Sequence, residues 1–440
     1  MERDLFEKAP IHYAYLKLSV PVVLAMVLSV VYNMVDTWFI SLTGDPNLVA
    51  GVSICAPVFI LSIAMGDIWG LGGSSLISRL LGEKKDAEAS GVSALCQYLA
   101  LFTGIVFMIL MLLFSGQILR MLGVNEGSAN HAGAYFRWIA VGTPFIIFSM
   151  IPNNQLRTEG LADLGMWGAV AGTVANVILD PVFIFGLKMG AAGAALATSL
   201  SNLISCVIYL IIIVTKCNVL TVEPKTALAA VHRIKEVLRI GIPASVTNIM
   251  NSLSLMITNR FLVPYGNDAV AAMGIAMKIN MISMMTIIGF AFGGQPLYGY
   301  TYGSRNTERF KKTLRFAYLL EAGIGILFAV ILFIAAPHMI AFFMNEPAVV
   351  STGTAILRFM QISSILVGVT LVTTCVCQAV GNAKGALILS LSRQGIIFAV
   401  SIFILQALLG LTGIMLAQPA ADFLTGIAAC VIVSGILKDK

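Results

Sequence analysis

Long, nearly uncharged apolar runs recur along this chain from about residue 16 to about residue 436, and very few folds can accommodate them. Each run is roughly 20 residues or more, the length a helix needs to cross about 30 Å of hydrocarbon. A membrane β-barrel would need short alternating segments, and runs such as Ile105–Phe114 and Ala322–Ala336 do not alternate. Composition agrees: of 440 residues, 58% are hydrophobic and 11% charged, against about 25% charged in a soluble domain. Lipid is therefore the main solvent, and the fold class is an all-α membrane protein.

Hydropathy places about twelve spans, at about 16–42, 49–77, 91–115, 134–156, 166–186, 191–214, 239–263, 270–298, 313–336, 353–378, 385–407 and 412–436. An even number puts both termini on one side. The loops on that terminal side hold Arg79, Lys84, Lys85, Arg157, Lys216, Lys225, Arg233, Lys235, Arg305, Arg309, Lys311 and Lys312, whereas the opposite loops hold Arg120 and Lys188. Basic residues are retained in the cytoplasm, so both termini are expected there. The net charge of +6 is then a consequence of topology, and no nucleic-acid partner is implied. The charged start (Arg3, Asp4, Glu7, Lys8) has no short apolar core with a cleavage site, so no signal peptide is read.

The chain repeats itself. Leu18-Ser-Val-Pro21 returns as Ile240-Gly-Ile-Pro243, Gly44 as Gly266, and Gly72-Gly73 with Gly82 as Gly293-Gly294 with Gly303. Gly160 pairs with Gly381 and Gly193 with Gly413, all at an offset of about 220 residues. Six spans per half is an even number, so the halves share one orientation and are related by an axis along the membrane normal. The expected organisation is an amino-terminal six-span lobe (1–214), a polar cytoplasmic linker (215–237) and a carboxy-terminal six-span lobe (238–440). Two such lobes can enclose a cleft and rock to expose it on alternate sides.

Acids within hydrocarbon cost at least about 2.5–3.5 kcal/mol each on insertion scales and are functional candidates. Asp36 in span 1 and Asp180 in span 5 each lie about six residues, or roughly 9 Å, below the outer end of their helix. Asn176 precedes Asp180 by one turn; Tyr32 and Asn33 precede Asp36 by about one turn; Thr198 enters span 6 at the same level. Tyr32, Asn33, Asp36, Asn176, Asp180 and Thr198 can therefore meet in one polar cluster. Two carboxylates sharing a dry site do not both stay ionised unless one takes a proton or a cation. A structural hydrogen-bond network is the competing reading. Asp67, deep in span 2, is read either as a cavity residue or as a structural partner for a base, and Asp422, in the middle of span 12, as a possible cavity residue. Glu321, near the terminal-side end of span 9, is read as an acid that snorkels to the interface. Lys278 and Arg393 are the deeper bases, and each needs a partner.

Prolines 21, 57, 144, 181, 243, 296 and 419 interrupt or open spans; Pro21 and Pro181, on the acid-bearing spans, are the candidates for functional bends. Met273, Met277 and Met281 recur every fourth residue along span 8 and suit a promiscuous cavity, though such a stripe also serves ordinary packing. The seven cysteines show no metal-ligand spacing.

These residues resemble those of multidrug and toxic compound extrusion (MATE) transporters, and most nearly the bacterial DinF-like branch. The likeness runs from the Pro21-to-Asp36 spacing with Tyr32, through Gly72-Gly-Ser-Ser75 and Arg79-Leu-Leu-Gly82, to Asn176-Val-Ile-Leu-Asp180-Pro181. It continues in Gly193-Ala-Ala-Leu-Ala-Thr198 and Gln378-Ala-Val-Gly381-Asn382. The resemblance implies cation-coupled efflux of small, lipophilic, often cationic compounds across a bacterial inner membrane by a monomer. It needs no cofactor beyond a coupling proton or sodium ion. Carried over residue by residue, the coupling site is Asp36, Asn176, Asp180 and Thr198, supported by Tyr32, Asn33, Pro21 and Pro181; Asp36 and Asp180 would be metal ligands if sodium is the ion. The possible substrate cavity is Asp67, Met273, Met277, Met281, Lys278, Gln378 and Asp422. The acids that the NorM-like branch carries in spans 7 and 10 are absent: span 7 offers Asn248, Asn251, Thr258 and Asn259, and span 10 offers Gln361, Ser363, Ser364 and Gln378.

A flippase for a lipid-linked precursor is the alternative transport reading, but its basic cavity would have only Lys278 and Arg393 to draw on. An embedded enzyme is disfavoured. His12, His131, His232 and His338 are peripheral, and the chain contains no Gly-x-Ser-x-Gly, His-Glu-x-x-His or phosphate-binding glycine loop.

Overall fold

A computed structural model describes residues 3–124 and 127–438, and among these there are helices and no strands. Eleven helical segments are long and apolar enough to cross a membrane, and a twelfth span is a helix pair bent by 46°. Span 1 is one helix, Ile11–Ser41, and span 2 is two, Pro46–Ile54 and Ala56–Gly82. Spans 3 and 4 are Asp86–Leu113 and Ala129–Leu156; span 6 is Ala191–Lys216 and span 7 is Ile234–Leu262. Span 8 is Asn267–Gly293 with Gln295–Gly303, span 9 is Thr307–Phe343, and span 12 is Leu411–Lys438. Span 10 is the bent pair, Pro347–Ile362 with Ser364–Val380.

The breaks have local causes. Pro57 and Pro296 stand in the first turn of the second piece of spans 2 and 8, where proline's missing N–H is not needed. Spans 5 and 11 each contain a wide π turn. In span 5, helix Ala162–Pro181 runs into Val182–Gly186, and the Leu187 N–H donates to the Val182 carbonyl at 2.8 Å. In span 11, Ser392–Ile396 separates Ala383–Leu391 from Ile397–Leu409. Such turns recur at functional sites in helices.

The internal repeat extends to backbone conformation. Gly160 after span 4 and Gly381 after span 10 have φ of 88° and 85°, the left-handed helix ending that glycine adopts without a Cβ penalty. Lys84 and Arg305, in the matching basic loops, are also left-handed, at φ 63° and 56°.

The chain forms two compact units. One comprises Met1–Lys8 and Leu24–Ser245, the other Ala9–Val23 and Val246–Lys440. The division therefore falls inside spans 1 and 7 and not at the linker. The linker is built into the first unit: the Glu159 carboxylate accepts the backbone N–H groups of Asn218, Val219 and Leu220 at 3.1, 2.8 and 2.6 Å. Gln97 Nε2 also donates to the Thr221 carbonyl at 3.3 Å.

Each exchanged helix end crosses its neighbour almost backbone to backbone. In the first unit, a Cβ added at Gly241 of span 7 would lie 1.9 Å from the Ile68 carbonyl oxygen, and one at Gly72 would lie 2.5 Å from that of Val237. In the second unit, a Cβ at Gly293 of span 8 would lie 2.3 Å from Ser19 Cα of span 1. The repeated glycine pairs are thus crossing points, where no side chain fits.

Candidate functional site

Two carboxylates from different helices meet in the first unit. Asp36 lies in the last turns of span 1, and Asp180 ends the regular part of span 5, just before Pro181 and the π turn. Their carboxyl groups are hydrogen-bonded to each other. Asp180 is wholly buried and Asn176 and Thr198 nearly so, while Asp36 and Tyr32 are half-buried. With its amide oriented to satisfy the surrounding donors and acceptors, Asn176 donates to Asp180 Oδ2 at 2.8 Å and to the Tyr32 hydroxyl at 3.2 Å. Its oxygen then accepts the Thr198 backbone N–H at 3.1 Å. Tyr32 and Thr198 are joined through their side chains.

One oxygen of each acid, Asp36 Oδ1 and Asp180 Oδ1, has no hydrogen-bond partner among the described residues. Among the described residues, no base completes the cluster. Its chemistry is hard oxygen donors and two carboxyls in a mostly water-excluding pocket, which suits a proton shared between acids or a small cation held by oxygens. No group of three or more His, Cys, Asp or Glu suited to a metal occurs among the described residues, so a sodium ion here would draw on amide and hydroxyl oxygens as well.

The structure brings Tyr32, Asp36, Asn176, Asp180 and Thr198 together, and leaves Asn33 out. Asn33 is exposed and donates to the Ser29 carbonyl of its own helix at 2.7 Å. Pro21 lies more than three turns from Asp36, on the part of span 1 that belongs to the second unit. Pro181 adjoins the site. Tyr135 of span 4, within electrostatic reach of both acids, was not singled out in the sequence; an aromatic residue near a span end carries no signal of its own.

In the second unit Asp422 is no cavity residue. It is 1% exposed and paired with Arg393, Nε to Oδ1 at 2.9 Å. It also accepts from Ser363 at 2.7 Å and from Gln418 at 3.0 Å. Ser363 is available because span 10 breaks there, and Arg393 reaches Asp422 from the π turn of span 11. Gln378 is likewise closed off, accepting from Gln295 Nε2 at 3.0 Å with both side chains buried.

The methionine stripe divides. Met273 is packed with Ala276, Leu332 and Ile356 in the core of the second unit, whereas Met277 and Met281 are exposed. Lys278 is exposed beside them and takes part in no ion pair among the described residues. Asp67 is half-buried, two residues before Trp69, whose indole donates to Thr103 at 3.0 Å.

Comparison with known proteins agrees with this architecture. The MatE family profile matches the chain twice, over residues 21–182 and 243–404, the same repeat that the glycines trace. The multidrug export protein MepA of Staphylococcus aureus (strain MRSA252) is 31% identical over 438 residues, covering 99% of this chain and 96% of the relative. A multidrug resistance MATE family transporter of the MOP superfamily, solved in an outward-facing conformation, superposes with a TM-score of 0.93 at 25% identity, over 99% of this chain and 98% of that one. A MATE transporter solved in a bent conformation gives a TM-score of 0.92 at 25% identity, over 100% and 99% of the two chains.

Proposed function

This chain belongs to the MatE family and is a multidrug efflux transporter with a twelve-helix, two-lobe fold, and from that premise we propose that it is a cation-coupled antiporter working by alternating access. A proton or sodium ion moves inward in exchange for a small organic solute moving outward. The observation that carries this reading is the contact between Asp36 and Asp180 with no base beside it. Two carboxyls in contact are stable when a positive species joins them, so the cluster binds one cation and stores its free energy. Asn176, Thr198 and Tyr32 hold the acids at that spacing.

The half-buried position of Asp36, near the end of span 1 away from the termini, supports loading from the outer side. The basic loops support placing both termini in the cytoplasm, and the bacterial relatives support the inner membrane. First-lobe coupling of this kind is the DinF-like arrangement, since span 10 carries no acid and the one acid of span 7, Glu236, lies in its first turn and pairs with Arg233. Exposed Met277 and Met281 supply an adaptable apolar surface for lipophilic, including cationic, substrates. The closure of Asp422 by Arg393 removes one acid from any flippase or substrate cavity.

The test is efflux of several dyes from proteoliposomes, driven separately by a pH gradient and a sodium gradient. Asp36→Asn is expected to insert and fold normally and to lose transport driven by either gradient. Undiminished ion-driven transport by that variant would remove the mechanism, and the gradient that drives the unaltered protein names the ion.

A further inference from the structure

Glu321 contradicts its sequence reading. An acid at the terminal-side end of a span can extend to the interface at little cost, yet this side chain is 0% exposed. Neither of its carboxyl oxygens has a hydrogen-bond partner among the described residues. It sits in the second unit, in a niche left by a missing side chain: a Cβ on Gly368 of span 10 would lie 2.9 Å from Glu321 Cβ and 3.2 Å from Oε2.

The titratable groups on the elements around it are tyrosines and cysteines, Cys377 and Cys430 lying within electrostatic reach of Tyr318. Tyr15 of span 1 and Tyr298 of span 8 lie within electrostatic reach of the carboxyl, with Cys375 of span 10 beside them. Both phenolic protons are engaged elsewhere. Tyr15 Oη donates to the Phe290 carbonyl at 3.0 Å, which leaves Tyr298 Oη to donate to Tyr15 Oη at 3.0 Å. Tyr318, one turn before Glu321 on span 9, is bonded to Thr373 Oγ1 at 2.9 Å.

An ionised carboxylate left alone in such surroundings carries a penalty of several kcal/mol, and removing one needs a positive partner. A metal cation would need several oxygen ligands, and no group of three or more His, Cys, Asp or Glu suited to one occurs among the described residues. A proton needs none. We propose that Glu321 is a proton-binding site of the second lobe, distinct from the first-lobe acid pair and covered by the starting segment of span 1. Bound there, the proton lets Tyr15 and its segment seat against spans 8 and 9; when that segment lifts, the carboxyl can exchange its proton with solution. The site stands whether or not the first-lobe pair is the coupling site.

The experiment is infrared spectroscopy of the purified protein at neutral pH in light and heavy water, reading the C=O stretch of undissociated carboxylic acids. A band present in the unaltered protein is expected to vanish in Glu321→Gln and to persist in Asp36→Asn. Glu321→Asp, which keeps the acid, is expected to shift the band without removing it. The same band in all these proteins, or a Glu321 signal of the ionised form at neutral pH, would overturn the proposal. Gly368→Ala adds an independent check: filling the niche is expected to shift the Glu321 band and leave any Asp36 or Asp180 band in place. An unshifted band would mean that the acid is not where the proposal needs it.

Discussion

The two lobes each bury an acid-centred polar group beside a break in a helix, and they balance its charge in opposite ways. In the first lobe Asp180 precedes a proline and a π turn and meets a second acid, Asp36, among neutral donors. In the second lobe Asp422 meets Arg393, itself set on a π turn, and the hydroxyl of Ser363 at the bend of span 10. The helical devices are alike; the sums differ. A group that is neutral as folded asks nothing of the solution, whereas two acids in contact, on the reading proposed above, take an ion from it. The repeat supplies a common scaffold, and the two groups occupy different positions within it.

The comparison breaks most clearly at its charged centres. Asp180→Asn is expected to reduce ion-driven efflux to the level of empty vesicles while leaving detergent-solubilised thermal stability nearly unchanged. A large loss of stability instead would make the first-lobe group a strut as well. Arg393→Ala should do the reverse. It leaves Asp422 buried without its base, a change that costs about 3–5 kcal/mol, visible as a large drop in Tm. Pairing that change with Asp422→Leu is expected to restore most of the loss, and failure of the double variant to recover would show that the ion pair is more than a strut.

Next in size are the helix crossings. Gly241→Ala and Gly293→Ala each force a methyl group into backbone within 2.5 Å, an overpacking expected to cost about 1–3 kcal/mol. Unaltered Tm values for both would mean that the spans part more easily than their contact suggests. The smallest effects belong to single neutral donors. Tyr32→Phe and Ser363→Ala each remove one hydroxyl, worth about 0.5–1.5 kcal/mol for an ordinary hydrogen bond and about twice that beside a charge. The first is expected to appear as weaker cation dependence of transport, the second only as lower stability.

Properties carried by local sequence were legible before the structure. The spans follow from hydropathy, and the repeat from glycines that a left-handed turn or a close crossing requires, as at Gly160 and Gly381. The first-lobe site was legible because Asp36, Asn176, Asp180 and Thr198 lie at matched depths in their helices, and depth is countable from a span end. Azimuth is less so. Asn33 lies one residue from Tyr32 yet points away, because that single step turns a helix by about 100°. Partner choice across helices was not legible at all. Asp422 and Arg393 sit on neighbouring spans with Lys278 as an equal candidate, and only packing decides between the two bases. Nor could hydropathy show that Glu321 is covered, since what covers it is the start of span 1, some three hundred residues earlier.

That early segment has a consequence for how the molecule is made. Residues 9–23 leave the ribosome long before the unit that receives them, and the first unit in turn takes in span 7 as far as Ser245. Neither half can therefore be finished by itself during synthesis. The opening helix must wait, partly unattached in the bilayer, until spans 8 and 9 arrive, so truncation before them should leave an incompletely assembled first half and not a stable six-helix fragment.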